Sequence, residues 1–200
     1  MLARIAESLP SEAGFLFEPK WDGFRALVFR TSGQTLLQSR DLKPLNRYFP
    51  ELEAALQAAL PKGCVLDGEI VVASPRRLDF DALQQRIDPA ASRIAKLALE
   101  TPARFVAFNL LGASGRSTMA LPQAERRVRL ERLIGSAKPP PHLMPMTRDR
   151  AEAERWSGRT PSPVALRLAW RLHAPIDLDA LSVNDAKPMP AHLEIVPRAT

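Results

Sequence analysis

The chain has 200 residues, of which 46% are apolar and 25% charged, as is typical of a folded globular protein with its own core. A net charge of +6 favours a polyanionic partner such as nucleic acid without requiring one. The single cysteine, Cys64, excludes an intrachain disulfide, and its apolar surroundings predict a buried structural thiol. Neither a leader pattern nor an apolar run of membrane-spanning length is found, so we predict a cytoplasmic protein.

The first predicted elements are strands, and a cluster of charges interrupts them. The apolar run FLF (15–17) leads into the charged segment, EPKWDGFR (18–25), after which ALVFR (26–30) resumes the strand pattern. Four charges in eight residues are too many for a half-buried strand. ALVFR and QTLLQSR (34–40), joined through TSG, predict a hairpin.

Helices and strands alternate through the middle of the chain. PELEAALQAAL (50–60) repeats its leucines every four residues and is followed by Pro61, which predicts an amphipathic helix. The next predicted elements are a strand CVLDGEIVVAS (64–74), a helix DFDALQQRI (79–87) capped by Asp79, a strand ARFVAFNLLG (103–112) and a helix PQAERRVRLERLIG (122–135). Hairpins mixed with helices predict an α+β fold around an antiparallel sheet.

The character of the sequence changes after Trp156. Residues 157–200 are rich in Pro, Arg and Ala and lack a long periodic element. Within them VALRLAWRL (164–172) fits either a strand or one and a half helical turns. We therefore predict one domain over 1–156 and a loosely packed or poorly ordered tail over 157–200.

The charged segment has two interpretations. A lysine attacks as a nucleophile only when its amine is unprotonated, and neighbouring cations, a metal or burial can bring that about. Lys20 has Arg25 close in sequence, Asp22 could orient its amine, and Gly23 permits a tight turn. Composition alone instead favours a solvated loop, whose surface ion pairs contribute under ~1 kcal/mol each.

The spacing Lys-x-Asp-Gly-x-Arg at 20–25 resembles the nucleophile motif of the covalent nucleotidyltransferases, which comprise ATP-dependent DNA ligases, RNA ligases and mRNA capping enzymes. Later segments resemble the next family motifs in order, namely QSRDLKPLNRYFPEL (38–52), LDGEIVV (66–72) and RFVAFNLLG (104–112). The sequences of these segments are most similar to those of small bacterial repair-type ATP-dependent DNA ligases. Over residues 1–156 the resemblance implies an antiparallel-sheet, ATP-grasp-like adenylation domain, incomplete at its C-terminal side.

The resemblance also implies roles for the residues that match the motifs. Lys20 would attack the α-phosphate of ATP and carry AMP through a phosphoramidate bond, while Glu18 would read the exocyclic amine of adenine. Phe108 would stack on the adenine face, although a strand phenylalanine can equally be plain core. Arg25 and Arg40 would contact the ribose or phosphates, although Arg40 could also be an exposed hairpin charge.

Acidic residues complete the implied site. Glu69 would accept from a ribose hydroxyl and lie near a Mg²⁺ or Mn²⁺ ion, and burying it among valines and leucines would be costly without a purpose. Asp22 and Asp67 either assist the reaction or only brace a turn. The arginines of helix 122–135 are expected to form a solvated face paired with its glutamates, rather than a DNA contact.

Three features depart from the family pattern. Asn109 stands where these ligases usually carry aspartate, which reduces any electrostatic role there. Beyond Trp156 we find neither the expected Glu-Gly-x-x-x-Lys nor Lys-x-Lys, and the oligonucleotide-binding domain is missing. These departures predict a truncated or frame-shifted gene product, with poor solubility or a loosened fold.

The function that the resemblance implies is ATP-dependent sealing of nicks in double-stranded DNA during repair and recombination, with ATP and Mg²⁺ or Mn²⁺. DNA end-joining and repair proteins are the implied further partners, the membrane is not one, and the implied place is the nucleoid-associated cytoplasm. The alternative is a catalytically impaired remnant that at most binds nucleotide. An RNA ligase or a GTP-using capping enzyme shares the nucleophile motif and stays open.

Overall fold

A computed structural model describes residues 9–10, 14–19, 21–74, 78–87, 89–137, 139, 141–157 and 167–171. The strands are β1 Phe15–Glu18, β2 Phe24–Arg30, β3 Thr35–Ser39, β4 Cys64–Val72, β5 Ala103–Ala113, β6 Arg116–Ser117, β7 His142–Leu143 and β8 Arg167–Arg171. The helices are α1 Pro50–Ala59, α2 Phe80–Gln84, α3 Ala91–Glu100, α4 Gln123–Gly135 and α5 Arg150–Ser157, with a 3₁₀ turn at Asn46–Tyr48.

Six of these strands form one main sheet. Its order is β3-β2-β4-β5-β6, all antiparallel, and β7 adds to β5 in parallel. A second, two-stranded sheet pairs β1 with β8 in antiparallel fashion. The predicted α+β class with an antiparallel sheet is confirmed.

Strand β4 lies at the centre of the main sheet and shows why the fold has two different faces. Its side chains alternate, so that Leu66 and Ile70 enter the large apolar core, while Asp67 and Glu69 point to the opposite face. Helix α1 covers the core face with its regularly spaced leucines, as predicted. Each such buried aliphatic side chain stabilises the fold by about 1.5–3 kcal/mol.

Two glycines let strands approach closely beside the charged face. A Cβ on Gly23 would lie 2.7 Å from the carbonyl oxygen of Ile70, and one on Gly68 would lie 2.5 Å from that of Val106. Neither position tolerates a side chain without backbone movement. The need for Gly23 therefore includes packing against β4, in addition to the turn that its sequence context predicts.

The predicted hairpin, the helices at α1, α2 and α4 and the strands β4 and β5 are all present, and Asp79 caps α2 by accepting from the Ala82 amide at 2.9 Å. Helix α3 was not predicted, although Ile94, Leu97 and Ala98 recur at helical spacing and are its least exposed residues. Of the alternatives for VALRLAWRL, the structure has strand β8. None of the described helices is long and apolar enough to cross a membrane.

Candidate active site

The predicted nucleophile, Lys20, lies outside the described residues, whereas the strands that precede and follow it are described. Strand β1 ends at Glu18 and strand β2 begins at Phe24. Trp21, the next residue after the lysine, is half-buried and packs against a small apolar cluster formed by Val71, Val106, Phe108 and Met144. The site can therefore be built from the side chains around this connection.

An arginine–carboxylate pair joins β2 to β4. The Arg25 Nε donates to Asp67 Oδ1 at 3.0 Å, and its Nη2 donates to Asp67 Oδ2 at 2.7 Å. Burial by itself lowers the pKa of Arg25, but the hydrogen bond to Asp67 and the charges of Asp67 and Glu69 more than offset this, so the net pKa is raised. This two-point contact fixes the guanidinium orientation, and Asp67 thereby braces Arg25 rather than a turn.

The strand register brings the other predicted groups to the same face. Arg25 stands directly opposite Glu69 in the β2–β4 ladder, and Glu69 stands opposite Val106 in the β4–β5 ladder. Glu69 is fully buried. The Arg25 Cζ lies 5.7 Å from the centroid of the Phe108 ring, within cation–π range.

Phe108 occupies an irregularity in β5. Asp67 pairs with Asn109 and Gly68 pairs with Ala107, so Phe108 is the extra residue of a bulge. Bulges commonly re-aim a side chain beside a functional site. Its side chain is 2% exposed within the small apolar cluster, as expected for a core residue, and its stacking on adenine stays a prediction.

A second ion pair, which the sequence did not suggest, lies at the end of β1. Glu18 Oε1 accepts from Arg127 Nη1 at 3.2 Å, and both side chains are buried. Arg127 comes from α4, whose arginines were expected to face solvent. That expectation is wrong for Arg126 and Arg127, because both turn inward to buried acceptors, while Arg129 and Arg132 are exposed.

Arg126 occupies a buried pocket of neutral acceptors. Its Nε donates to Asn109 Oδ1 at 3.0 Å, and its terminal nitrogens donate to the carbonyl of Leu121 and to Gln123. Burial lowers the pKa of Arg126 to about 10. Among the described residues no carboxylate forms an ion pair with it, so Asn109 meets this buried cation with a neutral amide oxygen and not with a charge.

The remaining predicted residues are less enclosed. Arg40 is exposed in the turn that follows β3, and Asp22 is exposed just before β2. The structure therefore brings Arg25, Asp67, Glu69 and Phe108 together on one face of the main sheet, and it pairs Glu18 with Arg127 at the end of β1. Among the interactions of the described residues, none joins Arg40 to that group.

A divalent metal was predicted beside Glu69. Within the described part of the chain no group of three or more His, Cys, Asp or Glu residues could hold a metal ion. Mg²⁺ usually takes only one or two protein carboxylates and fills its other positions with water and substrate phosphate. A single buried carboxylate such as Glu69 fits that role, with the phosphates of a nucleotide as the further ligands.

Comparison with known proteins shows the family of the chain. Residues 1–158 match the family model described as ATP dependent DNA ligase domain. The chain is 48% identical over 160 residues to DNA ligase C of Mycobacterium tuberculosis and 47% identical over 156 residues to DNA ligase C2 of Mycolicibacterium smegmatis. Each alignment covers 78% of this chain and 44% of the relative, so the chain spans less than half the length of these curated relatives.

Solved structures show the same similarity. A mycobacterial DNA ligase D complexed with ATP superposes with a TM-score of 0.57 at 27% identity, covering 76% of this chain and 47% of that one. A Lig E DNA ligase superposes with a TM-score of 0.53 at 16% identity, covering 82% and 58% of the two chains, which is a likeness of fold alone.

Proposed function

The chain belongs to the ATP-dependent DNA ligase domain family, and we propose that it uses Lys20 to form a covalent lysyl-AMP intermediate from ATP. The observation that carries this proposal is the geometry next to the Lys-x-Asp-Gly-x-Arg motif. Arg25, the last residue of the motif, is held by the two hydrogen bonds that it donates to Asp67, and it lies opposite Glu69 and over the Phe108 ring.

The proposed step is nucleotidyl transfer. The unprotonated Lys20 amine attacks the α-phosphorus of ATP, a nitrogen–phosphorus bond forms, and the bond to the leaving pyrophosphate breaks. The amine releases its proton to solvent or a base. Arg25 stabilises the ribose or the phosphates with a guanidinium that is already oriented, so little reorganisation is needed as charge develops.

Recognition of the nucleotide involves the buried side chains around the motif. Glu18 accepts a hydrogen bond from the adenine amine, Phe108 stacks on the base, and Glu69 accepts from a ribose hydroxyl. Arg40 and Asp22, both exposed, contribute from the rim, and Gly23 keeps β2 close to β4. A bound Mg²⁺ or Mn²⁺ beside Glu69 would supply positive charge to the phosphates.

We further propose that nicked double-stranded DNA is the substrate of the whole protein. The AMP passes from Lys20 to a 5′-phosphate at the nick, and the 3′-hydroxyl displaces it to join the strands. A role in repair and recombination, in the nucleoid, follows from that substrate. These later steps rest on family membership, and they are separable by experiment from the adenylation of Lys20.

Incubation of the chain with α-labelled ATP and Mg²⁺ or Mn²⁺ tests the first step. We expect label that survives denaturation on the wild-type chain and is absent from Lys20→Ala. Lys62→Ala is the matched control, since Lys62 is exposed between α1 and β4 and lies outside all the segments that resemble family motifs. A folded wild-type chain without label, or equal label on Lys20→Ala, would contradict the proposal.

Nick sealing is measured next, on a duplex with one 5′-phosphorylated nick. Sealed product from the labelled chain supports the complete ligase reaction. Label without sealing limits the function of this chain to nucleotide capture and adenylation. An assay with α-labelled GTP in place of ATP distinguishes the ligase assignment from a capping-type activity.

A further inference from the structure

Arg127 of α4 joins three parts of the structure at the end of β1. Its Nη1 donates to Glu18 Oε1 at 3.2 Å, its Nη2 donates to the Met144 carbonyl at 2.8 Å, and its Nε donates to Glu131 Oε1 at 2.8 Å. The side chains of Arg127 and Glu18 are 5% and 3% exposed. A guanidinium with three fixed partners has little freedom to move, so it also fixes the carboxylate that it contacts.

The Met144 contact ties Arg127 to the strand that carries Phe108. The Met144 amide donates to the carbonyl of Ala107, the neighbour of Phe108, at 2.8 Å. The Met144 side chain packs with Phe108 in the small apolar cluster. One arginine therefore sets the position of Glu18 relative to Phe108, the two groups proposed to meet the edge and the face of the base.

We propose that Arg127 is a positioning residue that determines the preference for ATP over GTP by keeping Glu18 ionised and in place. This inference rests on the proposed function, in which Glu18 meets the exocyclic group of the base. An ionised carboxylate only accepts hydrogen bonds. Adenine presents an amine donor at that position, whereas guanine presents an oxygen acceptor, which the carboxylate repels.

Arg127 is needed because Glu18 is buried. A buried carboxylate that lacks a neighbouring cation tends to take up a proton, since burial disfavours its charged form. A protonated Glu18 would carry an O–H donor, and that donor can satisfy the oxygen of guanine. Loss of the Arg127 charge should therefore reduce discrimination between the two bases more than it reduces the reaction with both.

The experiment compares the second-order rate constants for labelling of the full chain with α-labelled ATP and with α-labelled GTP. We expect Arg127→Met, which keeps the aliphatic stem without the charge, to lower the ATP-to-GTP ratio about tenfold. Arg127→Lys restores a cation and should keep the ratio within about threefold of wild type, even where the rate with both nucleotides falls. Arg129→Met is the matched control, because Arg129 lies on the exposed side of α4 and pairs only with Glu125 among the described contacts.

A double variant tests whether Arg127 acts through Glu18. Glu18→Gln alone should lower the ratio, and adding Arg127→Met to Glu18→Gln should change it little further, because the charge that Arg127 maintains is already gone. If Arg127 were merely structural, its loss would lower the labelling rate constants for ATP and GTP by the same factor and leave their ratio unchanged. That result, from variants with a cooperative thermal transition, overturns the inference.

Equilibrium binding distinguishes failure of the adenylation proposal from failure of the inference about Arg127. If the wild-type chain binds ATP without becoming labelled, the Lys20 reaction is excluded, and the same variants are compared by their Kd values for ATP and GTP. If Arg127→Met does not fold, Arg127→Lys and Glu18→Gln decide the outcome, since an unchanged ratio in Glu18→Gln is sufficient to reject the role. A folded wild-type chain that binds neither nucleotide overturns the inference together with the proposed function.

Discussion

The two faces of the main sheet differ in what fills them. Among the described residues, 19 buried side chains form a continuous apolar core on one face, whereas the apolar cluster on the other face has four. The second face instead carries Arg25, Asp67 and Glu69, brought together by strand register. Both faces belong to the same strands, so the positions of the charged groups depend on packing that occurs behind them.

This difference assigns stability mainly to the core face and chemistry mainly to the charged face. Burial of apolar area on the core face provides most of the free energy of folding, and it holds β2, β4 and β5 in register. Charged side chains on the opposite face cost desolvation energy, which their hydrogen bonds and ion pairs only partly return. Substitutions on the first face should therefore act on folding, and those on the second should act mainly on the reaction.

The largest effect on stability is expected from Leu66→Ala on the core face. Leu66 is fully buried in β4, and its truncation should lower the free energy of unfolding by about 2–5 kcal/mol through lost burial and a cavity. Urea denaturation measures the change. The contrast between the two faces holds if the labelling rate of this variant, measured well below its melting temperature, stays near the wild-type rate. Leu99→Ala is the control, since Leu99 is 85% exposed and its loss should change stability by under about 0.5 kcal/mol.

A smaller stability change with a larger effect on the reaction is expected from Asp67→Asn on the charged face. The amide retains one acceptor, so one of two contacts to Arg25 is lost and stability should fall by about 1–2 kcal/mol. Because Arg25 is then no longer held in one orientation, labelling should slow by about 10-fold or more. Denaturation and labelling rate are measured on the same sample, and a stability loss without a slower reaction would break the comparison.

The smallest effect is a gain in stability from Asn109→Asp. A carboxylate beside the buried Arg126 would replace a neutral acceptor with a charged one, and we expect an increase of about 1 kcal/mol at pH 7. Arg126 would hold the pKa of the new aspartate below its unfolded value, so the gain is present above the unfolded pKa and is lost as the pH falls through the folded pKa. Thermal melts at pH 7 and pH 3 test this.

Gln34→Glu controls for the change in net charge, because Gln34 is exposed in the β2–β3 connection. An equal rise in melting temperature for both variants would show that the effect comes from overall charge and not from Arg126. A lower melting temperature for Asn109→Asp would mean that desolvation of the new carboxylate outweighs its attraction to Arg126.

Local sequence patterns predicted the regular parts of the fold. The repeated leucines of α1, the Asp79 cap and the apolar run of β4 each depend on a few consecutive residues, and all three are confirmed. Helix α3 was missed, although Ile94, Leu97 and Ala98 follow the helical spacing that local sequence can show. Strand β8 was one of two alternatives, since five alternating residues also fit a short helix.

The site was predictable where residues match a motif with fixed spacing. Glu18, Arg25, Glu69 and Phe108 were singled out in this way, and the structure brings Arg25, Glu69 and Phe108 together on one face of the main sheet. Lys20 stays a prediction, because it lies outside the described residues. Arg127 carried no such signal, and the charge pattern of α4 indicated a solvated helix face instead.

The sequence by itself therefore determined the class of fold, the family and the residues of the nucleophile motif, because periodicity and spacing are properties of neighbouring residues. Tertiary structure alone decided which charges are buried and what they contact. Arg127 meets Glu18 across 109 positions of sequence, and Arg126 meets Asn109 across 17. Such partners are brought together only when the helix packs on the sheet, since the burial of Leu130 and Ile134 fixes which side of α4 turns inward.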